Sequence, residues 1–211
     1  MKKSIYITGL LLLLLLLFCG CGQRIAIDSE LNKINEGGNS VKYENVKIVV
    51  DDNVIESNDV MKIIDPLWWS VSIYDGEEKY NKDLARFSVP QKYVFAIEWY
   101  VAEVNNGGHD QFYSNSTGIV WEDAMNGFEV IGLSENNKIL NESVKRMGGN
   151  PGKDRERRQA ELDKFNPTFD DLDDRFYKSD KDMDKIIMKY IKDHKIDFYF
   201  DGTVSKPKIE K

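Results

Sequence analysis

Hydrophobic residues recur at helical spacing through most of this chain and alternate as in a strand only near its beginning. The segment Gln91–Asn105 is apolar on nearly every side, and only Glu98 and Glu103 are charged between Tyr93 and Val104. A helix that is apolar all round lies in the middle of a bundle. This segment is therefore predicted to be a buried central helix.

Further helices are predicted before and after this one. Asp65 is suited to cap a helix that opens with proline, and Ser116 or Thr117 is suited to cap a helix with apolar residues at helical spacing. The last helix is predicted over Asp180–Asp193, where apolar residues form one stripe and Ser179 precedes as a possible cap.

One β-branched run, Val46–Val50, predicts a short strand near the N-terminus. The predicted fold class is thus mainly α, a single-domain helical bundle around a buried central helix with this one strand. The predicted divisions are a signal peptide over 1–20, a flexible tether over 21–44, a helical domain over 45–200 and a loose, charged tail over 201–211.

The N-terminus carries an export pattern. Eight leucines, Leu10–Leu17, follow Lys2 and Lys3, and Gly20 directly precedes Cys21. A basic start, a short apolar run and a small residue before a cysteine describe a bacterial lipoprotein signal peptide. The apolar run is too short for an ordinary membrane span. An uncleaved anchor and an ordinary signal peptide are the alternatives.

On the lipoprotein interpretation, the mature chain begins at Cys21, whose acyl chains hold it to a membrane of the cell envelope. Removal of residues 1–20 changes the formal charge from −7 to −9, because Lys2 and Lys3 are lost. An acidic chain is not expected to bind nucleic acid directly or to be drawn to anionic lipid. The only cysteines are Cys19 and Cys21, so the body has no disulfide, thiolate nucleophile or zinc–thiolate site.

The densest group of polar and aromatic residues follows the central helix. Two adjacent glycines are suited to end that helix with positive φ, and a short helical turn is predicted over His109–Asn115. One interpretation is a pocket in which Glu98, His109 and Asp110 perform metal or acid–base chemistry. The other, favoured because a single histidine has no partners at recognisable spacing, is a junction whose polar groups satisfy helix ends. The residues of this motif are Glu98, Asn105, Asn106, Gly107, Gly108, His109, Asp110 and Gln111.

A stretch rich in acids follows later in the chain. Glu161–Asp184 contains nine acids against four bases. No calcium-loop spacing occurs in it. One interpretation is a face that attracts a basic protein partner, and the alternative is a set of helix caps on a solvated surface. The residues of the predicted face are Asp170, Asp171, Asp173 and Asp174.

Two further segments bear on the core. Gly148–Arg158 is polar and basic, and is predicted to be a solvated loop that runs into a helix. Large aromatics such as Trp68, Trp99 and Trp121 are predicted to pack in the core rather than to line a ligand groove.

The motif also carries a family resemblance. Glu98-Trp99-Tyr100, Glu103–Phe112, Asn115-Ser116 and Gly118 resemble the hallmark of the DMP-type DNA-mimic domain family, a bacterial family of otherwise unassigned function. The later segments that resemble it are Arg155–Ala160 and Leu172–Tyr177.

The resemblance implies a mostly helical single domain over about Ile63 to Lys195. One branch of the family is acidic and imitates the charge of DNA to occupy a DNA-binding protein. This chain departs from that branch in its lipoprotein signal, because a lipid-anchored protein outside the inner membrane does not meet cytoplasmic transcription factors.

These patterns together predict a lipid-anchored, acidic, helical binding protein with no catalysis, no cofactor and no metal. Its expected partner is another protein. One alternative is an immunity-type lipoprotein that neutralises an exported toxin. Another is an envelope hydrolase or metal enzyme that uses Glu98, His109 and Asp110.

Overall fold

The structure is a computed structural model that describes residues 42–179 and 182–208. Helices dominate it, and the predicted mainly α bundle is confirmed. In chain order the elements are β1 (Tyr43–Val50), α1 (Asp52–Glu56), α2 (Val60–Ile63), α3 (Asp65–Trp68), α4 (Gly76–Leu84), α5 (Val89–Ser114), a 3-10 helix (Ser116–Val120), α6 (Trp121–Ile131), α7 (Ser134–Arg146), α8 (Arg155–Phe165), α9 (Asp170–Ser179), α10 (Met183–Asp193), α11 (Lys195–Phe198) and β2 (Phe200–Pro207).

Residues Asn45–Lys206 form one compact unit. The described residues of a second unit are 42–44 and 207–208, in which the N–H of Lys208 donates to the carbonyl of Lys42 at 2.7 Å. The predicted signal peptide, Cys21 and nearly all of the predicted tether lie outside the described residues. Among the helices of the described part, none is long and apolar enough to cross a membrane.

The long helix α5 begins with a capping box. The hydroxyl of Ser88 accepts from the N–H of Gln91 at 3.2 Å, and the side chain of Gln91 accepts from the N–H of Ser88 at 2.9 Å. Each bond satisfies an amide that the first helical turn leaves without a partner. Proline at the start of the helix fits for the same reason, since it has no amide hydrogen to satisfy.

The predicted burial of α5 on all sides is confirmed. Every residue from Val94 to Val104 is buried except the partly exposed Val101. Trp99 stacks on Trp68 with 4.1 Å between ring centroids, so the large aromatics pack in the core. α6 approaches α5 closely at Gly127, where a Cβ atom would lie 2.9 Å from the Cβ of Tyr93.

A small sheet lies beside the helices, and half of it was not predicted. β1 covers the predicted strand, but its partner β2 occupies much of the segment that was predicted to be a loose tail. Val50 and Val204 are the buried residues of the two strands. The amino group of Lys206 is 2.6 Å from Asp65 and lies over the ring of Trp69. The expectation of a loose tail was therefore wrong for 201–207, because tertiary contacts order a polar sequence.

Three predicted helix caps were wrong, because each side chain has another partner or position. Asp65 is inside α3, where it accepts from the indole of Trp69 at 2.8 Å. The residue that precedes the 3-10 helix is Asn115, and Thr117 donates to Glu103 instead. Ser179 is the last residue of α9, while α10 begins at Met183, after Asp182.

Candidate functional site

The helix α5 breaks at the two glycines of the motif. Gly107 has φ −160°, whereas Gly108 has φ 72° and ψ −173°, a backbone region that glycine adopts almost alone. A Cβ atom on Gly108 would lie 2.3 Å from Oδ2 of Asp173. Gly108 therefore turns the chain and also leaves room for a carboxylate from α9.

The Gly108→Ala variant is expected to unfold at a lower urea concentration, by about 1–3 kcal/mol, because alanine is strained in this backbone region and its Cβ displaces Asp173. Gly132→Ala is the control. Gly132 has φ 88° and ψ 18°, in the left-handed region, and nothing lies within 4 Å of its Cβ position. A loss in Gly108→Ala no larger than in Gly132→Ala would show that neither the backbone angles of Gly108 nor the approach of Asp173 adds to the cost.

His109 follows the break and is fully buried. Its backbone N–H donates to Oδ1 of Asp173 at 3.0 Å, and its ring Nδ1 is 2.5 Å from the same oxygen. Its Nε2 is 2.7 Å from the hydroxyl of Tyr100. When Nδ1–H donates to the carboxylate, Nε2 is the acceptor for the Tyr100 hydroxyl. These bonds connect the two sides of the break in α5 to each other and to α9.

The surroundings of Tyr100 show that the hydrogen bonds from Tyr100 through His109 to Asp173 belong to the core. Burial raises the pKa of Tyr100 well above its usual value, so the hydroxyl remains protonated at neutral pH. Three phenylalanine rings lie edge-on to the Tyr100 ring, at centroid distances of 5.0 to 5.6 Å. They are Phe112, Phe128 and Phe176.

Glu103 is the second centre of the motif, with 1% of its surface exposed. Its Oε2 accepts from the amides of Gln111 at 2.7 Å and Asn115 at 2.9 Å. Its Oε1 accepts from the hydroxyl of Thr117 at 2.9 Å. A buried carboxylate is tolerated when its lone pairs are occupied in this way. The bonds tie the part of α5 after the glycine break, and the start of the 3-10 helix, to the part of α5 before the break.

Arg158, in α8, is the third centre and is completely buried. Its guanidinium donates to backbone carbonyls of two separate segments, at distances from 2.6 to 3.4 Å. Burial lowers the pKa of Arg158 to about 10, so the group is still charged at neutral pH. A Cβ atom on Gly118 would lie 2.5 Å from its Nε, which makes glycine necessary at that position. The five carbonyls belong to Tyr113, Asn115, Ser116, Gly152 and Lys153.

The prediction of a solvated basic loop was thus wrong at Arg158, and also at Pro151 and Gly152, which are buried. Arg155 and Arg157 are exposed, as expected, but Arg158 points inward. Sequence reasoning missed it because a run of alternating charges is typical of a solvated surface. Its guanidinium binds backbone carbonyls, and since every residue has a carbonyl, the residue types in the sequence do not reveal these contacts.

The structure distributes the predicted motif residues between core and surface. Glu98, Gly108 and His109 are buried, whereas Asn105, Asn106 and Asp110 are exposed. On a helix, Glu98 and Tyr100 point about 200° apart around the axis. Since Tyr100 contacts His109, Glu98 points away from that side. The acid that contacts His109 is Asp173 and not Asp110.

The four carboxylates of the predicted acidic face differ in their surroundings. Asp173 is turned inward to His109, and Asp171 pairs with Arg146 at 2.6 Å. That pairing lowers the pKa of Asp171 to about 2. Asp170 and Asp174 are exposed, and neither forms an ion pair with another described residue. The unpaired charge of this face is thus carried by two of its four acids, Asp170 and Asp174, because Arg146 offsets the charge of Asp171.

An open depression lies beside this face. Asp110, Ser114 and Asp163 contribute to its lining. Partial desolvation of its carboxyl is the main cause that raises the pKa of Asp110, and the negative charges of Asp173 and Asp170 raise it further. Within the described ranges, no three His, Cys, Asp or Glu side chains converge as a metal site. The depression is an acidic surface feature without the ligand set that a metal enzyme uses.

Comparison with known proteins places this architecture in a family. The family model described as DMP19-like protein matches residues 85–194, just over half of the chain. No match was found among curated proteins or among solved structures. The matched range contains α5 with its glycine break, Glu103, Arg158 and Asp173. The chain therefore belongs to the DMP19-like family.

Proposed function

We propose that this protein is a lipid-anchored, acidic, helical binding protein without catalysis, and that its partner is another protein. The observation that carries the proposal is the burial of the three polar centres Glu103, His109 and Arg158. Glu103, His109 and Arg158 direct their hydrogen bonds to atoms of this chain. A catalytic acid, base or nucleophile must instead reach a substrate. The family motif is accordingly a structural junction, and binding falls to the surface.

The charge of the surface supports a protein partner of basic character. The chain carries a formal charge of −7, and Asp170 and Asp174 lie exposed on α9. Exposed carboxylates speed association with a basic surface, and salt weakens that effect. Asp171 and Asp173 are less suited to the role because Arg146 and His109 already engage them.

The acidic face is tested by crosslinking in intact envelopes followed by pull-down. Asp170→Asn combined with Asp174→Asn should reduce capture of a partner, and high salt should reduce capture by the wild type. Glu77→Gln combined with Glu78→Gln is the matched control, because it removes the same charge from exposed positions on α4. Equal capture by both double variants, unchanged by salt, would leave α9 an ordinary solvated surface.

The proposed lipid anchor is inferred from the residues that precede Cys21, and it can be tested separately from the acidic face. Cys21→Ser should abolish incorporation of a labelled fatty acid, because the cysteine side chain is the acyl acceptor. Cys19→Ser should label like the wild type, since Phe18 rather than a small residue precedes Cys19. Labelling of the Cys21→Ser variant at the wild-type level would remove the lipoprotein assignment and leave the binding proposal to its own test.

A further inference from the structure

Two Asn-Gly pairs occur in the chain, Asn106-Gly107 and Asn126-Gly127. In such a pair the backbone nitrogen of glycine attacks the side-chain Cγ of asparagine, unhindered because glycine has no Cβ. A C–N bond forms, ammonia leaves, and a five-membered succinimide ring results. Water then opens the ring at either carbonyl, which yields aspartate or isoaspartate. The reaction needs water and no enzyme, so local structure controls its rate.

The first pair lies at an accessible interruption of the helix. Asn106 and Gly107 are both exposed, and Gly107 has non-helical backbone angles. Within the described part of the chain, the side-chain amide of Asn106 has no hydrogen-bond partner. Because Gly107 already departs from helical angles, less regular helix has to open there than at Asn126 before the backbone reaches the geometry of attack.

The second pair lies where the fold holds the backbone in place. Asn126 and Gly127 are in the interior of α6, and Gly127 is buried against α5. A Cβ atom on Gly127 would lie 2.9 Å from the Cβ of Tyr93. Attack at Asn126 requires a packed helix to open, which costs more than opening at a break.

We propose that Asn106 is a site of spontaneous deamidation, which places a carboxylate, in part as isoaspartate, directly before the Gly107-Gly108 break. The isoaspartate form lengthens the backbone at that point by one carbon. The turn at Gly108 positions the backbone N–H of His109 to donate a hydrogen bond to Asp173. A backbone that is longer by one carbon just before this turn weakens that hydrogen bond. The modification therefore lowers the stability of the junction as the protein ages.

The test follows each pair in the purified full-length chain during incubation at mildly alkaline pH. Peptide mass spectrometry measures the gain in mass from amide to acid, and native protein is compared with protein in urea. In the native protein Asn106 should deamidate roughly tenfold faster than Asn126, because the opening costs differ. In urea the two rates should converge, since each asparagine is followed by glycine. Aged native protein should also unfold at a lower urea concentration than fresh protein.

Gly107→Ala provides a second measurement on the same site. Alanine accepts φ −160°, but its Cβ would lie 3.0 Å from the Cβ of Gln111 and closer still to the side-chain amide, so Gln111 must shift. Deamidation at Asn106 should slow while that at Asn126 stays unchanged. The proposal is overturned if Asn106 reacts no faster than Asn126 in the native wild type, or if the two rates remain unequal in urea.

Discussion

Arg158→Ala is expected to lower the free energy of unfolding by about 3–5 kcal/mol, as for removal of one partner from a buried charged network. The change deletes the guanidinium that donates to five carbonyls in a site with no exposed surface. Each buried group left unpaired costs about 1–3 kcal/mol, although water entering the space lowers the sum. Arg158→Lys should recover little, because one ammonium lacks the planar fork that reaches two segments at once.

The neighbouring Arg157 is the control for this change. It is exposed, and its Nε is 2.8 Å from Glu161 in a surface ion pair. Arg157→Ala should therefore cost no more than about 1 kcal/mol. Urea unfolding followed by tryptophan fluorescence measures both variants. Similar midpoints for Arg157→Ala and Arg158→Ala would mean that the buried guanidinium does not hold the junction.

Glu103→Ala is expected to be the second large effect, on the order of 3 kcal/mol, because it leaves the donors of three side chains without their acceptor. Those donors are in Gln111, Asn115 and Thr117. Glu103→Gln should cost less, since one oxygen remains as an acceptor.

Glu129→Ala is the control for Glu103, because Glu129 is exposed on α6. Its substitution should change the unfolding free energy within about 0.5 kcal/mol. Thermal and urea unfolding should give the order Glu103→Ala, then Glu103→Gln, then Glu129→Ala, from most to least destabilised. A Glu103→Ala variant as stable as Glu129→Ala would remove Glu103 from the structural account.

The features that could be predicted from the sequence are those that depend on residues close together along the chain. The burial of α5 follows from its nearly continuous apolar composition, and its break follows from adjacent glycines. Strand β1 was visible because β-branched residues cluster in it. In each case neighbouring residues carry enough physical information, since burial and backbone angles constrain residue type directly.

The features that were missed depend on contacts between distant parts of the chain. Asp173 lies 64 positions from His109, and within its own segment it is one acid among many. Arg158 binds backbone carbonyls, which every residue has, so the contact cannot be predicted from the types of its partner residues. β2 has a polar, glycine-containing sequence that becomes a strand by pairing with β1. Tertiary context overrides local preference in all three cases.

If the family motif is a structural junction, His109 and Asp173 stabilise the fold together, and a double-mutant cycle on the two residues measures this coupling. Urea unfolding is measured for His109→Ala, Asp173→Ala and the double variant. Each single change should destabilise the protein by about 1–3 kcal/mol, and the two changes should be coupled by about 0.5–3 kcal/mol. Polar groups of a catalytic site are often strained, and their removal leaves stability unchanged or raised. Single variants that unfold at or above the wild-type midpoint, without coupling, would contradict a structural role for the motif.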